Sequence, residues 1–178
     1  GGNLVTHELK VRSNGELYIT PINEIANHFS KDLPLTPISG VEAENGVFTY
    51  TNGGKTTYAK CPKKSWVCTY KIKFQSTGTL TMGFGSNNIS VLNIDFNQEK
   101  GYLVYRVNNA SASNTNIVQM PLSIALNEEV DVTLYGEDQI FAVYVKGKTG
   151  LTVRMMKAPG KNFGFYSNKA NATISNLK

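Results

Sequence analysis

The 178-residue sequence contains only two cysteines, two histidines and one tryptophan, and it has no long apolar run. A structural zinc site takes four Cys or His ligands in most proteins, and the whole chain has only two of each, so we expect no zinc site here. A membrane-spanning helix needs roughly 20 consecutive apolar residues, and no such run occurs, so we expect no membrane span. What the sequence does contain is typical of a folded domain: 40% hydrophobic residues and 17% charged residues, in one chain long enough to bury a core.

The chain is basic, with 18 Lys and Arg against 13 Asp and Glu. A basic protein raises the question of nucleic-acid binding, which requires clustered positive charge. The basic residues are scattered, and the tightest group is Lys60, Lys63 and Lys64. We therefore predict a solvated basic surface and no nucleic-acid partner.

The sharpest local pattern lies near the N-terminus. Val5, His7, Leu9 and Val11 alternate with polar residues, which predicts a half-buried strand. The turn signal Ser13-Asn14-Gly15 follows, and residues 16–19 read as the return strand of a hairpin.

A short helix is predicted directly after this hairpin. Thr20 suits its N-cap and Pro21 its first position. One apolar stripe would be formed by Ile22, Ile25, Ala26 and Phe29. We therefore divide the chain into a junction segment, residues 1–32, and a main domain, residues 33–178.

Residues 33–40 read as an extended linker, and almost everything beyond them reads as short strands. The predicted strands cover 46–50, 66–74, 79–85, 90–96, 102–107, 130–135, 140–145, 151–155, 163–166 and 172–177. Short strands separated by Gly, Asn and Lys turns predict an all-β fold with two stacked antiparallel sheets, a β-sandwich.

The two cysteines lie seven positions apart. Folding the chain about Lys64-Ser65 would bring Cys61 and Cys68 nearly opposite one another, which allows a disulfide in an oxidising compartment. Two buried thiols are the alternative, and the sequence leaves both open.

A glycosidase needs a pair of carboxylates at working distance. Acidic residues near one another include Glu42 with Glu44, Asp95 with Glu99, and Glu128 and Glu129 with Asp131. They lie in a linker, beside a turn and before a strand, and no Glu-x-Asp-x-x-Glu run places them on one strand. Neither His7 nor His28 accompanies a nucleophile motif, so we expect packing or surface roles for both and predict no catalytic residue in this chain.

Aromatic side chains could stack on sugar rings. Trp66 and Tyr70 share one face of a predicted strand, and they are our candidate carbohydrate-binding residues, whereas Tyr102 and Tyr105 fall on opposite faces. Filling the core is the alternative role for such residues.

Three stretches of the sequence carry patterns that can be compared with a known protein family. The first is the N-terminal pattern, in which the residues in register are Glu8-Leu9, Val11, Gly15, Leu17, Pro21, Glu24 and Ile25. The second runs from Leu92 to Phe96 and on to Tyr105-Arg106, and is similar to strands around an Asp-Arg pair. The third runs from Phe141 to Gly147 and on to Leu151-Thr152-Val153-Arg154. Together these stretches resemble glycoside hydrolase family 32, the β-fructosidases.

This resemblance implies a C-terminal β-sandwich of the concanavalin-A-like jelly-roll type, which follows a catalytic propeller in that family. The family's catalytic acids lie in Asn-Asp-Pro, Arg-Asp-Pro and Glu-Cys motifs, and none of these occurs here. Ala142 stands where the family usually has Glu, and Tyr105 where Asp is usual, so contacts made by those acids are not carried over.

The sequence thus leads to a non-catalytic accessory domain of a fructan-type glycoside hydrolase. Its expected partners are the propeller of the same parent chain and an oligo- or polysaccharide, and its expected location is periplasmic, secreted or at the cell surface. We predict no cofactor, although a structural calcium ion on a loop stays open. The alternatives are an independent carbohydrate-binding module and a small enzyme in its own right.

Overall fold

The computed structural model describes residues 6–29, 31–59, 65–87, 89, 91–109, 112–154 and 160–178. Over these residues the chain forms sixteen strands and one short helix. Two strands form an N-terminal hairpin, and the others form two seven-stranded antiparallel sheets. The predicted all-β sandwich is confirmed.

We call the first large sheet the front sheet. Its strands, in spatial order, are β11 (Ala112–Pro121), β10 (Tyr102–Asn109), β9 (Leu92–Asn97), β8 (Thr79–Gly85), β15 (Asn162–Asn168), β6 (Lys55–Ala59) and β3 (Pro37–Gly40).

The second large sheet is the back sheet. Its strands, in spatial order, are β14 (Thr149–Arg154), β13 (Ile140–Val145), β12 (Glu129–Glu137), β7 (Trp66–Phe74), β16 (Ala172–Ser175), β5 (Val47–Tyr50) and β4 (Ala43–Glu44).

The core lies between the two sheets and is rich in aromatic rings. In β7, buried and half-buried residues alternate over all nine positions, as expected for a strand with one face in a core. Tyr70 of β7 packs edge-on against Phe165 of β15, with ring centroids 5.1 Å apart, and against Phe96 of β9 at 6.3 Å. These contacts join the back sheet to the front sheet.

Four strands, β3, β4, β6 and β11, lie where the sequence analysis predicted a linker or no strand. The polar β11 has no apolar alternation and is held at the sheet edge by pairing with β10, and β6 was not predicted either. The expected linker at residues 33–40 is partly wrong, because Pro37–Gly40 pairs with β6 as an edge strand. Proline is tolerated at the start of an edge strand, where its missing N–H costs no ladder bond.

The N-terminal hairpin is confirmed. β1 (His7–Val11) pairs with β2 (Leu17–Pro21) in a register that sets Leu9 opposite Ile19. Gly15 has φ of +86° in the connecting turn, a conformation that glycine adopts without strain.

The helix that follows is shorter than predicted. Thr20 is not its cap and Pro21 is not its first residue, because both continue the ladder of β2, opposite Glu8 and His7. Helix α1 covers only Asn23–Ala26, about one turn, and no side chain caps it. Tertiary contact rather than helix length fixes this segment, since the Phe29 ring lies 5.6 Å from the Tyr135 ring of the back sheet.

The hairpin packs on the outer face of the back sheet, near its β14 edge. His7 Nδ1 lies 2.8 Å from the Tyr144 hydroxyl, and its Nε2 lies 3.2 Å from the Thr152 hydroxyl oxygen. Arg12 donates to the carbonyls of Gly147, at 2.9 Å, and of Lys148. The junction segment is therefore tied to the sandwich, and its separate status as residues 1–32 stays a prediction.

Candidate functional site

A group of polar side chains lies on the outer face of the front sheet, where β8, β9, β10 and β15 run side by side. Leu92, Ile94 and Phe96 of β9 point into the core, so the alternation of a strand turns Asn93 and Asp95 outward. Both residues are nonetheless buried, with 0% and 7% of the residue surface exposed. Buried polar groups on a sheet face need partners, and the neighbouring strands supply them.

Asp95 is held by three hydrogen bonds from two strands. Arg106 of β10 donates from Nε to Asp95 Oδ2 at 2.7 Å and from Nη2 to Oδ1 at 3.2 Å. The Thr81 hydroxyl of β8 donates to Oδ1 at 2.7 Å. The bidentate geometry fixes both the carboxylate and the guanidinium plane.

Tyr166 of β15 extends this network. Its hydroxyl accepts a bond from Arg106 Nη2 at 3.1 Å and donates to Asn93 Oδ1 at 2.6 Å. Side chains from four strands are thus joined in one polar cluster, and a register shift in the β10–β11 pairing falls beside Arg106. Bulges of this kind often lie next to functional sites.

The electrostatics of the cluster keep its members in defined states. Burial acts to lower the pKa of Arg106, but the hydrogen bond and charge of Asp95, with help from Tyr166, outweigh it and raise that pKa. Burial is also the main influence on Tyr166, and it raises the pKa of this phenol while the positive charge of Arg106 opposes the rise. At neutral pH the guanidinium is charged and the phenol is a neutral donor.

A cavity of about 390 Å³ opens over the cluster. Its rim carries hydroxyl, amide and ammonium groups from Thr79, Asn97, Lys100, Gln119 and Asn168. The volume lies in the range of pockets that hold small ligands. Chemically, the site offers fixed hydrogen-bond donors and acceptors to a polar molecule.

Two glycines shape the surface beside this cavity. A Cβ on Gly83 would lie 2.1 Å from the carbonyl oxygen of Ile89, and one on Gly164 would lie 2.7 Å from its Cδ1. Ile89, in the connection between β8 and β9, can settle on the outer face of the sheet because neither glycine has a side chain there. Ile89 is 1% exposed. Tyr166 Cε1 would lie 3.1 Å from a Cβ on Gly83.

Trp66 and Tyr70, the candidate carbohydrate-binding residues, lie in the core. Their placement on one face of β7 is confirmed, but they are only 8% and 2% exposed. Their role in sugar binding stays a prediction, and their burial argues against it, because a ring with so little free surface cannot stack on a sugar.

Tyr102 and Tyr166 both line the cavity, and Tyr102, which is 36% exposed, offers the more exposed aromatic ring. Tyr105 faces the core, so the predicted separation of Tyr102 and Tyr105 is confirmed. Sequence reasoning missed the cluster because Asp95 reads as an acid beside a turn. The alternation of β9 and β10 is the signal that places Asp95, Tyr102 and Arg106 on one face.

The other acidic groups are solvated or paired with lysines. Glu128 lies 2.7 Å from Lys148, and Glu129 lies 2.6 Å from Lys71. Glu42 and Glu44 are exposed. In the part of the chain described, no three His, Cys, Asp or Glu side chains come together as metal ligands would.

The histidines have the roles expected of them. His7 packs between the hairpin and the back sheet, and His28 is exposed after the helix. Cys68 is buried in β7, whereas Cys61 lies outside the described residues, so the disulfide stays a prediction. No helix among the described residues has the length and apolarity to cross a bilayer.

No family model matches the sequence, and no curated protein matches it either. Solved structures do match the fold. A carbohydrate-binding module, CBM66 from Bacillus subtilis, aligns with a TM-score of 0.62 and 13% identity over 80% of this chain and 92% of its own. The Ca²⁺/Man-bound exoplasmic/lumenal domain of VIP36 aligns with a TM-score of 0.59 and 11% identity over 76% and 78% of the two chains.

A third match is to a longer chain, A. japonicus CB05. It aligns with a TM-score of 0.58 and 16% identity over 96% of this chain but only 30% of the other. At these identities the matches show the fold alone: a jelly-roll β-sandwich, found both in separately solved binding modules and within a longer protein.

Proposed function

We propose that this chain is a non-catalytic carbohydrate-binding β-sandwich and that it binds its sugar in the cavity over Asp95 and Arg106. The observation that carries this proposal is the buried cluster of Thr81, Asn93, Asp95, Arg106 and Tyr166, which is rigid before any ligand arrives. Because these polar groups are already ordered, binding of a hydroxylated ligand costs little conformational entropy in the cluster.

Tyr102 supplies the apolar half of the site. Sugar rings present an apolar face as well as hydroxyl groups, and an aromatic side chain beside fixed polar groups suits both. The fold is shared with a carbohydrate-binding module and with the Ca²⁺/Man-bound VIP36 domain, which supports this assignment.

The test is calorimetric titration of the whole chain with oligosaccharides chosen from a glycan array. Tyr102→Ala and Asn168→Ala alter the rim of the cavity without touching the buried cluster, and both are expected to weaken binding at least about five-fold, the equivalent of one lost contact of ~1 kcal/mol. Tyr18→Ala, in the hairpin on the back sheet, is the matched control and should bind as the parent does. No affinity for any glycan, or equal affinity in all variants, would reject the proposed site.

A second role is favoured by the hairpin. Leu9, Val11 and Leu17 are 62%, 65% and 59% exposed, and isolated apolar strips of this kind often mark contacts with another domain. We propose that they contact a catalytic propeller that precedes them in the parent chain, as the resemblance to family 32 implies. In that parent the sandwich would serve as an accessory domain of a secreted or periplasmic fructan-type hydrolase.

The gene upstream of this segment tests this second role. We expect an open reading frame that encodes Asn-Asp-Pro, Arg-Asp-Pro and Glu-Cys motifs. A start codon or a signal peptide directly before Asn3 would reject the accessory role and leave the independent binding module.

A further inference from the structure

The front sheet carries very little charge, and most of it is positive. Its seven strands contain three charged residues, Lys55, Asp95 and Arg106. Asp95 is the one carboxylate among them, and Arg106 binds it with two hydrogen bonds. The pair leaves no negative charge available to a ligand.

Lys100 gives the cavity a net positive charge. It lies in the turn between β9 and β10 and lines the cavity. Among the described residues it has no ion-pair partner within 4.0 Å. Glu99 is exposed in the same turn but does not line the cavity.

We propose that the cavity selects a saccharide that carries a negative charge, either a carboxylate or a sulfate ester, and that Lys100 is the specificity-determining contact. This inference rests on the proposed carbohydrate-binding function. It departs from the neutral fructan that the family resemblance implies.

The chemistry of the site fits such a ligand. The long lysine side chain can follow an anionic group at the rim, while the fixed cluster below it binds ring hydroxyls. Repulsion between Asp95 and an anionic ligand is small because the charge of Arg106 offsets that of this buried carboxylate. The net charge of +5 on the whole chain adds a long-range attraction for an anion, which salt screens.

The experiment compares four probes by calorimetry with the whole chain: trigalacturonate, a sulfated galactotriose, neutral galactotriose and a neutral fructan trisaccharide. Each is titrated at low and at physiological ionic strength, about 0.15 M. Lys100→Gln removes the charge at the cavity rim. Lys55→Gln is the matched control, because it removes an exposed lysine of the same sheet that does not line the cavity.

We expect an acidic probe to bind at least about five-fold more tightly than its neutral counterpart, and salt to weaken it. Lys100→Gln should remove this preference, and Lys55→Gln should keep it. If uronate and sulfate differ, the tighter one identifies the anionic group. Neutral sugars that bind as tightly as acidic ones would overturn this inference and leave the proposed function standing, whereas no binding of any saccharide would overturn both.

Discussion

Asp95 and Arg106 pair diagonally across two strands rather than directly. In the ladder Asp95 lies opposite Val104, and Arg106 lies opposite Asn93. Their side chains are only 10% and 14% exposed. The arrangement lets one guanidinium reach both the carboxylate on β9 and Tyr166 on β15.

Replacing Asp95 should therefore cost stability. In Asp95→Asn the Arg106 guanidinium stays largely buried without its counter-charge, so we expect the free energy of unfolding to fall by about 3 kcal/mol. Urea denaturation measures this change. Asp131→Asn is the control: that carboxylate is 44% exposed and lies 3.8 Å and 3.5 Å from two lysines, so its loss should change little. Equal effects in the two variants would contradict this account.

Two core tyrosines should respond differently to loss of their hydroxyl. The Tyr50 hydroxyl donates to Thr56 Oγ1 at 2.9 Å, whereas the buried Tyr58 hydroxyl has no hydrogen-bond partner among the described residues. We expect Tyr50→Phe to lower the free energy of unfolding by about 1 kcal/mol and Tyr58→Phe to leave it unchanged or raise it slightly. Thermal unfolding of the two variants side by side checks this, and a larger loss for Tyr58→Phe would show that its hydroxyl has a partner.

Stability should fall in alkali because of Tyr50. Burial raises the pKa of Tyr50 to about 12, against a weaker opposing effect of its bond to Thr56. Between about pH 10 and 12 the unfolded chain loses this phenolic proton while the folded chain keeps it. The free energy of unfolding then falls by up to about 1.4 kcal/mol per pH unit from this group. The contribution is fully present below pH 10 and is lost as pH rises towards 12.

Comparison with Tyr50→Phe isolates that contribution. Denaturant unfolding at several pH values between neutral and 12 should give a shallower alkaline slope for the variant, since every other titrating group is shared. Identical slopes would mean that Tyr50 ionises alike in the folded and unfolded chains.

Docking of the hairpin should depend on Gly150. A Cβ on Gly150 would lie 2.6 Å from Ile19 Cγ1 and 2.7 Å from its Cδ1, so Gly150→Ala should push β2 away from the sheet. We expect faster hydrogen exchange in the hairpin amides with little change in the core. Adding Ile19→Ala removes the crowding atoms and should restore part of the protection.

The control for this pair is Leu17→Ala, a truncation in the same hairpin at a side chain that is 59% exposed. It should not relieve Gly150→Ala, and the two changes should be additive. If Ile19→Ala and Leu17→Ala restored the hydrogen-exchange protection equally, the effect of Gly150→Ala would not arise from its contact with Ile19.

The features predicted correctly from the sequence are those that neighbouring residues in the chain determine. Asn14-Gly15 specifies a hairpin turn by itself, and the alternation of β7 gives the core face without knowledge of its partners. The helix was overestimated because the pairing of Thr20 and Pro21 with β1 overrides their local preferences.

The candidate site could not be predicted in the same way. It depends on strand order, which places β15 beside β8 although they are some 80 residues apart in the chain. Only that order brings Tyr166 to Arg106. The family resemblance drew attention to Arg106, but nothing in the sequence links it to Tyr166. The polar strand β11 was missed for the same reason, since pairing rather than hydrophobic pattern holds it.

Gly83 and Gly164, which lie under Ile89, determine the shape of the surface beside the cavity. The surface next to the cavity is set by the lack of side chains at Gly83 and Gly164, not by the polar cluster. A methyl group at Gly83 would meet the backbone of Ile89 and crowd the ring of Tyr166, and one at Gly164 would meet the Thr56 carbonyl oxygen of β6 at 2.1 Å as well as the Ile89 side chain. Two positions without side chains therefore set the surface beside the cavity, and a larger residue at Gly83 would reach the polar cluster through Tyr166.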